Sequence, residues 1–153
     1  MSKGHYFMNT LSKFVETLNY LISEKEITGK KLARELGITE ASLTFYRKGI
    51  NTPSVTNIIK FADYFHCSVD FLLGREDEKS GSVYKTCPSI AKRMAEIPAL
   101  AKMTVNEFCQ KLNIAESSFY EWKNGSSEPN IYSIIKIADF LDCRVDFILG
   151  RES

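Results

Sequence analysis

Thr28 to Gly49 reads TGKKLARELGITEASLTFYRKG. Thr28 is a residue type whose hydroxyl accepts from the free amides of a helix's first turn, and Gly37 is one that ends a helix in the left-handed conformation. Between them Leu32, Ala33 and Leu36 recur at helical spacing. Thr39 supplies the next start signal and Gly49 the next stop, so EASLTFYRK forms a second helix after a short turn. Leu32, Ala33 and Leu36 then face Ile38, Leu43 and Tyr46, and the small Ala33 lets the two helices cross closely. The second helix stands proud of the body with its N-terminal residues free.

Upstream, Leu11, Phe14, Val15, Leu18, Leu21 and Ile22 form a stripe at helical spacing. Downstream, Asn51, Thr52 and Pro53 make a turn, and Ser54 caps a helix whose Ile58, Ile59, Ala62 and Phe65 face inward. A final half-turn from Val69 to Leu73 ends at Gly74. Apolar residues do not alternate with period two anywhere, so no sheet is expected. The unit is all-α, with five short helices.

The chain repeats this unit. At an offset of 76 residues, Pro53 falls on Pro129, Cys67 on Cys143, Asp70 on Asp146 and Arg75 on Arg151. From Ile38 and Ile114 onward, roughly 18 of roughly 39 gapless positions are identical, which is a duplication of a whole small domain. Between the copies, REDEKSGSVYKT is charged and poor in apolar residues. Residues 1–76 are therefore read as one domain, 77–87 as a linker and 88–153 as the second domain. In the second copy Pro98 is expected to end the first helix near Ile97. Thr104 caps the next helix, the third runs from Glu116 to Asn124, Gly125 ends it, and Pro129 begins the fourth.

Composition sets limits. The 153 residues are 44% hydrophobic and 25% charged, with a net charge of +1. This is a core-forming composition that excludes collagen, a disordered tail and a histone-like polycation; any positive surface must be local. Lys13, Glu16 and Asn19 interrupt the N-terminal apolar residues, so no signal peptide is expected, and no segment nears the roughly 18 apolar residues that span a bilayer. A cytoplasmic location follows, where Cys67, Cys87, Cys109 and Cys143 stay reduced. They form no CxxC pair, and His5 and His66 are the only histidines, so small buried hydrophobes are expected rather than a metal site. No cofactor is implied. No triad, paired metal ligands or glycine-rich phosphate loop is present, which argues against an enzyme.

A helix, a Gly-containing turn and a helix make the helix-turn-helix pattern. The ordered set KLARELGI, SLTFYRKG, PSVTNIIKFADYF and CSVDFLLGR, with SSFYEWKNG, EPNIYSIIKIADFL and CRVDFILGR in the second copy, resembles the Cro/repressor-type helix-turn-helix domain. The resemblance covers nearly the full chain apart from the linker. It implies two tandem five-helix, lambda-repressor-like domains that bind double-stranded DNA and regulate transcription, often as a homodimer.

The resemblance also implies roles. The N-terminus of the recognition helix and the residues one turn on read base edges: here Thr39, Glu40, Ala41, Ser42, Thr44 and Phe45. The N-terminus of the preceding helix, Thr28, Gly29 and Lys30, grips a phosphate with its amides. Lys31 and Arg47 add positive charge, and Lys48 and Asn51 meet the backbone. Their second-copy counterparts are candidates for DNA or protein contact: Thr104 and Asn106 ahead of the third helix, Glu116, Ser117 and Ser118 at its start, and Tyr120, Glu121, Lys123 and Asn124 along it.

Charge separates the copies. From Thr28 to Ile50, five cations (Lys30, Lys31, Arg34, Arg47, Lys48) outnumber Glu35 and Glu40, giving +3. From Thr104 to Ser126, Lys111 and Lys123 face Glu107, Glu116 and Glu121, giving −1. Phosphate neutralisation supplies most DNA affinity, so the first copy suits DNA and the second does not. Tyr46, Phe61, Phe119 and Trp122 sit at core spacing, whereas Phe45 and Tyr120 face out. Asp70 and Asp146 each suit the first turn of a short helix. The leading expectation is a sequence-specific DNA-binding regulator, a repressor. The alternative is an antitoxin- or antirepressor-like protein-interaction adaptor in which one or both copies no longer read DNA.

Overall fold

The computed structural model describes residues 3–79 and 83–152, with side chains from residue 9 onward; residues 80–82 of the expected linker lie outside them. Among the described residues there are ten helices and no strand. The chain divides into two units between Val83 and Tyr84.

The first unit holds α1 (Lys3–Lys25), α2 (Gly29–Leu36), α3 (Glu40–Lys48), α4 (Val55–Phe65) and α5 (Val69–Leu72). Thr28, Thr39, Ser54 and Ser68 stand in extended conformation ahead of α2 to α5, and each hydroxyl accepts from the amide three residues on. Gly37 closes α2 at φ 70°, where a side chain would be strained. α1 packs on α3 and α5, and α2 on α3 and α4. Phe61 of α4 lies at the centre, its ring 6.1 Å from Phe14 and 6.1 Å edge-on from Tyr46, all three buried. Burying each such side chain contributes about 1.5–3 kcal/mol. The Tyr46 hydroxyl leaves this core and accepts from Asn57 Nδ2 at 2.9 Å.

The second unit holds α6 (Ile90–Leu100), α7 (Val105–Leu112), α8 (Glu116–Asn124), α9 (Ile131–Phe140) and α10 (Val145–Ile148). α8 packs on α6 and α7, and α9 on α7 and α10. Phe119 of α8 is buried between Phe108 and Trp122, with ring centres 5.5 and 6.0 Å away. Asn113 takes the left-handed position that Gly37 takes in the first unit, at φ 54°.

Pro98 does not end α6, which runs on to Leu100 with the proline inside it and buried. The proline comes within the last turn, so it removes one amide donor, and the helix closes beyond it: Ala101 N donates to Ile97 O at 3.0 Å and Met103 N to Pro98 O at 2.9 Å. Pro129 likewise does not begin α9. The helix opens at Ile131 behind Asn130, whose side chain accepts from Ser133 N. Cys67 and Cys109 are buried, but Cys87 and Cys143 are only half-buried.

Asp70 and Asp146 occupy the first turns of α5 and α10, and each is paired with the arginine five residues on. Asp70 meets Arg75 Nε at 3.0 Å, and Asp146 meets Arg151 Nη1. Arg151 is fully buried, and its guanidinium lies 4.4 Å over the Tyr84 ring. Lys85 N donates to Arg151 O at 2.8 Å. A Cβ on Gly150, at φ +78°, would come within 2.8 Å of the Pro88 ring, so glycine is what allows this close approach. Tyr84 and Lys85, part of the expected linker, are thus fastened to the second unit.

Candidate nucleic-acid interface

In the first unit the caps build the exposed face. Thr28 Oγ1 accepts from Lys31 N at 3.2 Å, so the α2 N-terminus is ordered while its first amides lie outside the helix's own bonding. Thr39 Oγ1 accepts from Ser42 N at 3.0 Å and donates to Ser42 Oγ at 2.8 Å, tying the two hydroxyls together at the start of α3. Leu43 and Tyr46 turn inward and bury. Glu40, Ala41, Thr44, Phe45 and Lys48 are left exposed, with Thr28, Lys30, Lys31 and Asn51 exposed around them. Gly29 and Ser42 are half-buried. The candidate residues of α2 and α3 thus share an outward face carrying hydroxyls, a methyl, an aromatic ring and cations.

Arg47 differs from the rest. Its Nε donates to Asn19 Oδ1 at 2.7 Å, and Asn19 Nδ2 donates to Arg47 O at 3.1 Å, both half-buried. Arg47 Nη1 lies 3.7 Å from where a Cβ on Gly29 would stand. The guanidinium is therefore anchored to α1 and lies beside the start of α2. Asn19 escaped the sequence reading; its signal is an amide on the apolar stripe of α1, next to Leu18 and two residues before Leu21.

The equivalent face of the second unit is built differently. Thr104 caps α7, accepting from Glu107 N at 3.1 Å. Ala115 precedes α8 and supplies no side-chain cap. Glu116 occupies the first turn of α8, where a carboxylate suits the helix dipole, and accepts from Asn106 Nδ2 at 2.9 Å. Ser117, Tyr120, Glu121 and Asn124 are exposed, and Ser118 is half-buried. Lys123 Nζ lies 5.1 Å over the Tyr120 ring. Ser127 Oγ donates to Glu121 Oε2 at 3.3 Å, and Asn124 Oδ1 accepts from Ser126 N at 2.9 Å. Glu116, Glu121, Lys123 and Asn124 are thus each engaged with a neighbour on the same unit.

Behind it, Cys109 is buried in α7. Burial, and then the nearby Glu116 carboxylate, push its thiol pKa up from the ordinary value, with Lys123 opposing. Among the described residues no three His, Cys, Asp or Glu side chains gather where a metal could sit, and no helix is long and apolar enough to cross a membrane.

Residues 10–72 match the helix-turn-helix family, and residues 93–152 match the family of Cro/C1-type HTH DNA-binding domains. The chain is also 33% identical over 67 residues to YqaE of Bacillus subtilis (strain 168), named as an uncharacterized HTH-type transcriptional regulator. That similarity covers 43% of this chain and 58% of the relative's length. No solved structure matches.

Proposed function

The chain is a tandem of two Cro/C1-type helix-turn-helix domains, and on that premise we propose that it is a sequence-specific DNA-binding transcriptional regulator, a repressor. The observation that carries this is the face of α2 and α3: an outward recognition helix, ordered by Thr39, inside a segment of net charge +3. In this reading the first turns of α3 enter the major groove. Thr39, Glu40, Ala41 and Ser42 face base edges, and Thr44 and Phe45 suit thymine methyls. The free amides at Gly29 and Lys30, with Lys31, Lys48 and Asn51, take phosphates. Arg47 adds its charge beside Gly29 from its anchor on Asn19. The function calls for no cofactor, metal or small-molecule substrate, is not enzymatic, and goes with a cytoplasmic location. α8 lies inside a segment of net charge −1 and is the weaker candidate for a base-reading helix.

The test is selection of a random duplex pool on the purified chain at several salt concentrations. An enriched motif with a steep loss of affinity as salt rises is the expected result. A two-part motif would show that both copies read bases. Absence of enrichment, with no binding at low salt, overturns the reading in favour of a protein-interaction adaptor. The observation favouring that alternative is the second unit's outward face, where Glu116 and Glu121 stand with Tyr120.

A further inference from the structure

At the 76-residue offset, the outward positions of α2 and α3 have counterparts on α7 and α8, and their charge is changed. Lys30 becomes Asn106, Lys31 becomes Glu107, Arg34 becomes Gln110 and Phe45 becomes Glu121. The inward positions keep their character: Ala33, Leu43 and Tyr46 become Cys109, Phe119 and Trp122, all buried. The change is therefore confined to the outer face of a retained scaffold.

That face holds its charge in place. Glu116 is tied to Asn106 and Glu121 to Ser127, while the nearby cation Lys123 is turned onto the Tyr120 ring. Tyr120 itself is 51% exposed, a rigid aromatic with a polar tip of the kind that anchors protein interfaces. DNA phosphates are repelled by such a surface; a basic surface with its own exposed aromatic complements it. The same sequence carries that surface, since Lys30, Lys31 and Lys48 lie on the α2–α3 face with Phe45, 40% exposed.

We propose that the α7–α8 face of one chain docks on the α2–α3 face of a second copy, with the Tyr120 face against the Phe45 face and the glutamates facing the lysines. Exchanged reciprocally, the two contacts make a two-fold dimer, the closed arrangement that leaves no open end to grow a filament. The dimer covers the surface assigned above to DNA. Its competition with DNA thus rests on that reading, whereas the docking itself does not.

The experiment is sedimentation equilibrium of the full chain at about 0.1 M and about 1 M salt, where the screening length falls from about 10 Å to about 3 Å. The wild-type chain should be dimeric at the lower salt and monomeric at the higher. Glu107→Lys with Glu121→Lys should weaken dimerisation about tenfold or more. Adding Lys30→Glu and Lys31→Glu to that variant should restore it by swapping the charges, which also shows that the variant still folds. A wild-type chain that stays monomeric at low salt overturns the proposal. So does a dimer insensitive to salt, or one that the swapped variants leave unchanged. Fluorescence anisotropy with a short labelled duplex, on the same samples, keeps the two ideas apart. A monomer that binds DNA sinks the docking and leaves the regulator reading intact, whereas a salt-sensitive dimer whose monomeric Glu107→Lys, Glu121→Lys variant, with the α2–α3 face uncovered, still binds no DNA supports the docking and sinks the regulator reading.

Discussion

Asn19 and Arg47 grip each other twice: the guanidinium Nε donates to the amide oxygen at 2.7 Å, and the amide nitrogen donates to the Arg47 carbonyl at 3.1 Å. The first bond is charge-assisted, and the second holds a backbone carbonyl in the last turn of α3. Between them they set how α3 lies on α1. Asn19→Ala leaves a half-buried charge without its acceptor and should cost the first domain about 1.5–3 kcal/mol. Asn19→Asp keeps the acceptor and should recover much of that. Urea unfolding of the three proteins checks it, and an alanine variant as stable as the wild type would show that the pair is incidental.

Lys30 and Lys31 are exposed in the first turn of α2. Reversing both to Glu should weaken DNA binding uniformly across sequences and lower the salt slope by about one for each phosphate that is no longer neutralised. Titration of a fixed duplex over a salt series measures the slope. An unchanged slope would remove these lysines from the DNA-facing surface.

How much of this was legible from residues alone follows the range of the interaction. Thr28, Thr39 and Thr104 act on amides three residues away, so the helix starts could be read locally. The outward Phe45 and Tyr120 and the inward Tyr46 and Trp122 follow from helical period. The Asn19–Arg47 pair spans 28 residues, and nothing local announces it. Pro98 misled for the opposite reason: a strong local rule, that proline breaks helices, met a position so near the helix end that one missing donor did not matter. Tyr84 reads as linker because its neighbours are polar, yet its ring packs on Arg151, 67 positions on (151 − 84).

The two Asp–Arg pairs are equivalent in sequence; they differ in burial, and Asp146 also meets Arg144 Nη2 at 3.8 Å where the first domain has Ser68. Arg75 keeps 24% of its side chain exposed, whereas Arg151 keeps none and is covered by Tyr84. Removing one partner of a fully buried pair costs about 3–5 kcal/mol, whereas Arg75, still reached by solvent, is partly compensated by water when Asp70 is removed. Asp146→Ala should therefore destabilise its domain far more than Asp70→Ala does. Hydrogen exchange, which reads each domain separately, decides this; equal losses would show that burial of Arg151 is not what matters.

Cys109 should resist alkylation at neutral pH, because burial and then Glu116 raise its thiol pKa and keep the thiolate scarce. The sign for stability follows. The folded thiol holds its proton more tightly than the unfolded one, so the associated stability is present below the unfolded pKa of about 8.5. It is lost as pH rises through the folded value. Glu116→Gln removes one of the two causes and should shift the onset of Cys109 labelling to lower pH. Mass spectrometry of peptides labelled across a pH series tests it, and an onset unmoved by the substitution would leave burial as the sole cause.

Ala115 stands where Thr39 stands in the first domain, and α8 starts without the side-chain bond that orders α3. Ala115→Thr should supply that bond to the amide three residues on and stabilise the second domain by about 0.5–2 kcal/mol. Glu116 already offsets part of the deficit, because its carboxylate lies on the positive end of the same helix. If the two act on the same free amides, their effects overlap: the gain from threonine should be smaller beside Glu116 than in a Glu116→Gln background. A double-mutant cycle in urea measures the difference. Strict additivity would mean that Glu116 does not serve the helix start, leaving its bond to Asn106 as its structural role.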